Sequence, residues 1–200
     1  MIHMKRIVIM ADGKGMRWKN YMGIPKHFAQ VKGEELIART VRILHGEISG
    51  VEIIVTSHDE RYEFPGSRRY EPLNNIYEID RFTRELITEN MCFLYGDTFY
   101  TEEAIRKIID EEPEDILFFG NETSIVAVKI RDAALFREQV EKVRRLYLDE
   151  KIRRCAGWEV YRLFTGQAME GDVDLTDRFV FIDDETRDVD TPDDYEVMRK

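Results

Sequence analysis

The segment from Arg6 to Ala11 constrains this chain more than any other. Ile7, Val8, Ile9, Met10 and Ala11 follow one another without a polar residue. A strand with one solvated face alternates apolar and polar side chains, so an unbroken apolar run must be covered on both faces. Such a strand needs a layer on each side of its sheet, and helices are the usual cover. The run then breaks into Asp12-Gly13-Lys14-Gly15-Met16-Arg17, a loop with two glycines.

Similar apolar runs recur at Val51–Thr56, Met91–Tyr95, Ile116–Phe119, Ser124–Ile130 and Phe179–Ile182, and each is expected to be a strand. Helical spacings lie between them. Leu36, Ile37, Val41 and Leu44 share one face over Glu34–His45, with Gly46 suited to the stop. Ile76, Ile79, Phe82 and Leu86 predict a helix over Ile76–Thr88. Thr101 suits an N-cap, with Glu102 and Glu103 in the first turn. Further helices are expected over Asp132–Leu148, Gly157–Phe164 and Pro192–Lys200, with Pro at the first helical position of the last. Arg61–Leu73, with Pro65, Gly66 and Pro72, reads as loop holding one short strand. Strand–helix alternation predicts an α/β sandwich with a mostly parallel central sheet. No repeat or linker interrupts it, so residues 1–200 read as a single domain.

The formal net charge of −10 argues against a general nucleic-acid binder, because nothing would neutralise a run of phosphates. A small phosphate-bearing substrate needs only a few local cations, and Lys14, Arg17 and Lys26 supply them near the glycine loop. No stretch approaches the roughly 20 apolar residues of a membrane span. The run after Met1-Ile2-His3-Met4-Lys5-Arg6 is too short for a secretory signal. Two cysteines, Cys92 and Cys155, do not make a disulfide framework, and a cytoplasmic protein is the simplest expectation.

In open α/β sheets ligands bind beyond the carboxyl ends of the strands, where the glycine loop lies. Glycines let backbone N–H groups approach a phosphate closely. The loop is not a Walker A motif, because Gly13-Lys14 is followed by Gly15 rather than Ser or Thr. Nor is it a dinucleotide fingerprint, since Trp18 stands where the third glycine belongs. A plain turn with solvated cations is the competing explanation. Asp97, in Gly96-Asp97 after the third strand, is placed to hold Mg²⁺ at the sheet edge, although such pairs are more often turns. Seven acids fall in the 12 residues from Asp183 to Asp194, most of them a solvated surface. Asp190 is set apart because Thr191-Pro192 fixes it just before a helix. Trp158 among apolar neighbours reads first as core. The histidines His3, His27, His45 and His58 show no metal-ligand spacing, and no Gly-x-Ser-x-Gly elbow occurs.

In their order these landmarks resemble the nucleotidyltransferases of the nucleotide-diphospho-sugar transferase superfamily. The opening signature of that family matches Met10-Ala11-Asp12-Gly13-Lys14-Gly15-Met16-Arg17, then Pro25-Lys26; its metal carboxylates match Asp97 and Asp190. Asn74-Asn75-Ile76 and Trp158-Glu159 look most like the small bacterial phosphocholine cytidylyltransferases. Asp12 and Met16 depart from the usual Ala and Ser or Thr. The resemblance implies a three-layer, glycosyltransferase-A-like sandwich and a Mg²⁺-dependent transfer of NMP, with CTP as expected donor, to a small phosphorylated acceptor. It further implies that Met10, Ala11, Asp12, Gly13, Lys14, Gly15, Asn75 and Gly96 bind the nucleotide. Arg17 and Lys26 would be catalytic, Asp97 and Asp190 metal ligands, and Trp158 and Glu159 acceptor contacts, suited to a quaternary ammonium. Monomer and homodimer both remain open. The rivals are a sugar-nucleotide glycosyltransferase, to which Asp188-Val189-Asp190 lends an Asp-x-Asp form, a molybdopterin guanylyltransferase, and a non-catalytic nucleotide-binding regulator.

Overall fold

The first strand, β1 (Arg6–Met10), is covered on both faces of the sheet, as its apolar run requires. The computed structural model describes residues 4–199. The reading of Met1 to His3, and the end of the last helix at Lys200, lie outside the described residues. In chain order the further strands are β2 (Gln30–Val31), β3 (Glu34–Glu35), β4 (Glu52–Thr56), β5 (Arg68–Tyr70), β6 (Met91–Tyr95), β7 (Thr98–Phe99), β8 (Ile116–Gly120), β9 (Ile125–Ile130), β10 (Phe179–Phe181) and β11 (Arg187–Asp188). The helices are α1 (Leu36–Glu47), α2 (Glu102–Asp110), α3 (Ala133–Leu148), α4 (Gly157–Phe164) and α5 (Pro192–Met198).

Seven strands form the main sheet in the order β10-β8-β9-β6-β1-β4-β5. Ile7 lies between Ile53 of β4 and Cys92 of β6, both parallel to it. Only β9 runs against the others, pairing antiparallel with β6 and β8. The expected mostly parallel sheet is therefore what forms.

Alternate residues of β1 enter opposite layers. Ile7 and Ile9 pack with Ile37, Val41, Leu44, Ile105 and Ile108 of α1 and α2. Val8 and Met10 pack with Phe136, Val140 and Val143 of α3 and Val160 and Tyr161 of α4. Each fully buried aliphatic or aromatic side chain contributes about 1.5–3 kcal/mol. A third cluster of Trp18, Val31, Leu36, Phe99, Val189 and Tyr195 ties α5 to the loops at the strand ends. No helix among the described residues is long and apolar enough to cross a membrane.

Two expectations are corrected. Ile76–Thr88 is not an α-helix but two 3₁₀ turns, Glu78–Arg81 and Arg84–Leu86. The Asp80 carboxylate accepts from the Ile76 and Tyr77 N–H groups at 3.0 and 2.9 Å, and Thr83 breaks the run at φ −23°, ψ 92°. The three-residue spacing of Ile76, Ile79 and Phe82 suits one 3₁₀ turn as well as an α-helix. Gly46 does not end α1 either. The helix runs to Glu47, Ile48 caps it in an extended conformation, and the left-handed turn falls on Gly50 (φ +73°). The Thr101 cap forms, its hydroxyl accepting from the Ala104 N–H at 3.0 Å.

His27, in a buried 3₁₀ turn (Lys26–Phe28), places Nδ1 2.8 Å from the Tyr62 hydroxyl. Burial above all pushes its imidazole down from 6.5 to about 4. Folding therefore excludes the proton. This stability is whole above about pH 6.5 and drains away as pH falls toward 4. The full shift is worth on the order of 3 kcal/mol. In urea unfolding, a His27→Asn variant should lose distinctly less stability than the wild type between pH 7.5 and 5. Parallel losses would mean that His27 titrates normally in the folded chain.

Candidate active site

The parallel strands β1, β4 and β6 end side by side, and their loops build the site. Beyond β1, the Asp12 carboxylate accepts from the His58 N–H at 2.9 Å and from the Asn75 amide at 2.9 Å, and it lies 2.8 Å from His58 Nδ1. The same Asn75 amide donates to the Asp12 carbonyl at 2.7 Å. Asp12 thus stitches together the loops after β1, β4 and β5, and its charge faces His58 and Asn75.

The glycine loop follows. Gly15 takes a left-handed φ of +58° that favours glycine, and its carbonyl accepts from the Trp18 N–H at 3.0 Å. Trp18 is fully buried against Tyr21 and Tyr195, and its indole N–H donates to the Ile24 carbonyl at 2.7 Å. The residue that breaks the dinucleotide fingerprint is therefore the loop's anchor.

Two carboxylates distant in sequence meet here. β7 and β11 pair antiparallel, with Thr98 opposite Asp188, and the Val189 N–H donates to the Asp97 carbonyl at 2.7 Å. This sets Asp97 and Asp190 on either side of the Lys26 ammonium, which donates to Asp97 Oδ2 and, at 2.9 Å, to Asp190 Oδ1. Arg17 Nη2 holds the other Asp190 oxygen at 2.7 Å. Burial works against the Lys26 charge, but Asp97 and Asp190 outweigh it and hold the ammonium above the usual lysine value. Burial likewise opposes ionisation of Asp97, and Lys26 reverses that to hold its carboxyl below the usual range.

Asp188 joins them. Its Oδ1 accepts from the Ser124 hydroxyl at 2.6 Å. Burial first, then the charges of Asp190 and Asp97, push its carboxyl up. In an extended segment residues 188 and 190 share a face, and the intervening Val189 is fully buried on the other.

A cleft of about 380 Å³ contains Met10, Gly13, Lys14, Gly15, Arg17, Lys26 and Asp97 in its lining. An adjoining cleft of about 230 Å³ runs past Ser124, Gly157 and Trp158 to Asp188 and Asp190. Ala11 and Asp12 lie on the far side of the glycine loop with Ser57 and His58. Asn75 and Gly96 are in supporting positions instead. Gly96 presses on β1, where a Cβ would lie 2.6 Å from the Met10 carbonyl oxygen. Glu159 does not join Trp158 at the cleft: it is buried and accepts from the Ala156 N–H at 2.9 Å, capping its own helix. Arg81, Arg154, Glu78 and Tyr95 also line the clefts. No motif marks them, and Arg81 sits in the segment whose spacing predicts a different helix.

Among the described residues no group of three or more His, Cys, Asp or Glu side chains forms a ready-made metal site. The donor set nevertheless fits a hard cation that brings its remaining ligands as substrate oxygens and water. One ammonium already touches both Asp97 and Asp190, so the two carboxylates converge on a single cation-sized point.

Replacing Gly96 with Ala should push the Asp97 loop off β1. Overpacking of this kind costs about 1–3 kcal/mol. Gly96→Ala should therefore lower the unfolding free energy by that amount and with it the urea midpoint, whereas an unchanged midpoint would show that the loop yields freely.

No protein-family model matches this chain, and no curated protein sequence matches it. Solved structures do. Over 99% of this chain and 98% of the other, it superposes on a CTP:phosphocholine cytidylyltransferase from Streptococcus pneumoniae with a TM-score of 0.61 at 15% identity. A 4-diphosphocytidyl-2C-methyl-D-erythritol synthase from Anaerococcus prevotii gives 0.64 at 14% identity, over 98% and 94%. A Mycobacterium tuberculosis protein solved as a complex with manganese gives 0.61 at 14% identity, over 100% and 99%. At such identities the likeness is one of fold, and it spans nearly the whole chain: this protein is built on the nucleotidyltransferase fold, as the order of its landmarks implies.

Proposed function

We propose that the chain is a single-domain, Mg²⁺-dependent nucleotidyltransferase that moves NMP from an NTP to a small phosphorylated acceptor. The observation that supports it best is the Lys26 ammonium held between Asp97 and Asp190, with Arg17 on Asp190 at the mouth of the glycine loop. An acceptor phosphate oxygen forms a bond to the α-phosphorus, the α–β P–O bond breaks, and pyrophosphate leaves with the electron pair. Such catalysis is mainly positioning and electrostatics, so no general base is needed.

The N–H groups of Gly13 to Gly15 cradle the phosphates, and Met10 borders the nucleoside, with Ala11 and Gly96 packed behind it. Arg17 and Lys14 hold the departing pyrophosphate, and Lys26 neutralises charge on the α-phosphoryl oxygens. Asn75 and Asp12 act by keeping the loop in place. A Mg²⁺ held by Asp97 and Asp190 would supply further neutralisation of phosphate charge. CTP is the expected donor, in line with the two cytidyl-named structures of like fold. A cytoplasmic setting agrees with two free, buried cysteines, the Cys92 thiol being pushed up to about 12 by burial. The convergence of Asp188 with Asp190 favours one second reading, a sugar-nucleotide glycosyltransferase, which releases no pyrophosphate from an NTP.

Pyrophosphate release from each NTP with a panel of phosphorylated alcohols decides between them. Asp97→Asn and Asp190→Asn should each lower turnover at least about 100-fold, since lost charge neutralisation at a metal is worth several kcal/mol. Retention of half the wild-type rate by either would remove that residue from the site. Arg17→Ala should damage both KM for NTP and kcat, and Lys26→Met should act chiefly on kcat. The Lys26 variant also leaves two carboxylates facing each other, a loss of about 3–5 kcal/mol. Added Mg²⁺ should raise its Tm more than that of the wild type. Equal Mg²⁺ responses would count against a metal at this point.

A further inference from the structure

Two arginines outside every recognised motif stand where the clefts meet. Arg17, Glu78, Arg81, Tyr95, Asp97 and Arg154 line both the glycine-loop cleft and the Trp158 cleft. They therefore surround the point where a nucleotide over the glycine loop and an acceptor against Trp158 would react. Arg17 is already engaged by Asp190 at 2.7 Å. Arg81 is less committed: its ion-pair partner is Glu78, at 3.7 Å. The guanidinium lies over the glycine loop, where a Cβ on Gly13 would come within 3.3 Å of Nη2. Arg153 pairs with Glu170 at 3.6 Å, whereas Arg154 has no ion-pair or hydrogen-bond partner among the described residues. A guanidinium with unused N–H groups facing an open cleft suits bidentate binding of a phosphate.

The rest of the acceptor cleft does not suit a cation. Trp158 stacks on Phe179 with ring centroids 5.7 Å apart and planes 5° apart, which covers one indole face. Glu159, the carboxylate next to it in sequence, is occupied at its helix end. The carboxylates lining this cleft are already engaged, Asp97 and Asp190 by Lys26, Glu78 by Arg81 and Asp188 by the Ser124 hydroxyl. A quaternary ammonium here would find half an aromatic surface and the guanidinium groups of Arg17, Arg81 and Arg154. Thr123, Ser124 and Asp188 instead offer hydroxyl and carboxylate oxygens that hydrogen-bond alcohols.

We propose that Arg81 and Arg154 bind the acceptor's phosphate, and that the acceptor is the phosphomonoester of a neutral alcohol or polyol, a sugar phosphate included. This rests on the nucleotidyl-transfer reading above.

The test measures pyrophosphate release with CTP, GTP, UTP and ATP in turn, plus Mg²⁺. Glucose 1-phosphate, glycerol 3-phosphate and phosphocholine are varied separately, for the wild type, Arg81→Gln and Arg154→Gln. Calorimetry follows binding of each acceptor to the same proteins. One of the two neutral-bodied phosphates should exceed phosphocholine by at least about 10-fold in kcat/KM, the equivalent of one lost charged contact. Each variant should raise the acceptor KM about 10-fold while changing the NTP KM less than about twofold. Phosphocholine as the better acceptor, or an NTP KM that rises with the acceptor KM, would overturn the proposal. If glucose 1-phosphate or glycerol 3-phosphate binds the wild type, and less well in the variants, yet no NTP is turned over, the transfer reading fails and the phosphate site stands. Absence of both binding and turnover overturns both.

Discussion

The site is organised by one buried ammonium. Lys26 lies between two carboxylates contributed by opposite parts of the chain, and its ammonium and Asp97 hold each other charged in a place where burial opposes both charges. Such a cluster is a poor way to gain stability, because desolvating the ions offsets most of their attraction. Its place at the ends of the parallel strands is where the proposed chemistry on a polyanion needs it. Every neighbouring feature follows from keeping that charge arrangement in register.

Backbone pairing does much of this. The short antiparallel contact between β7 and β11 fixes Asp97 against Asp190 through main-chain hydrogen bonds, so the carboxylates do not depend on flexible side chains to find each other. Val189 locks the second strand by filling the pocket with Trp18, Phe99 and Tyr195. Trp18 in turn anchors the loop that presents Arg17. The glycine loop, the Asp97 and Asp190 carboxylates and the last helix therefore share one small core, separate from the two layers that cover the main sheet.

The charges outside this centre divide between support and binding. Asp12, His58 and Asn75 form a surface latch across three loops, which accounts for an acid where the nucleotidyltransferases it resembles carry a small residue. Glu159 has likewise become structural. Arg81 and Arg154 have little to do structurally and stand at the mouth of both clefts. The same distinction, engaged or unengaged, separates side chains that shape the site from those able to meet a ligand.

Much of the fold was legible in the sequence because burial leaves a local imprint. The unbroken apolar run of β1 required cover on both faces, and α1 and α3 showed their buried stripes at helical spacing. The Thr101 cap stands next to the turn it closes. The order of glycine loop, Pro25-Lys26, Asp97 and Asp190 carried the likeness in fold. Tertiary structure alone decided the rest. A spacing of three residues at Ile76, Ile79 and Phe82 fits α and 3₁₀ turns alike, and Asp80 chose between them by binding the N–H groups of Ile76 and Tyr77. Whether Glu159 faced a ligand or its own helix end, and which arginines reached the cleft, depended on the packing of distant elements. Periodicity records which face of an element is buried; it carries no information about which charged group from elsewhere in the chain will lie opposite.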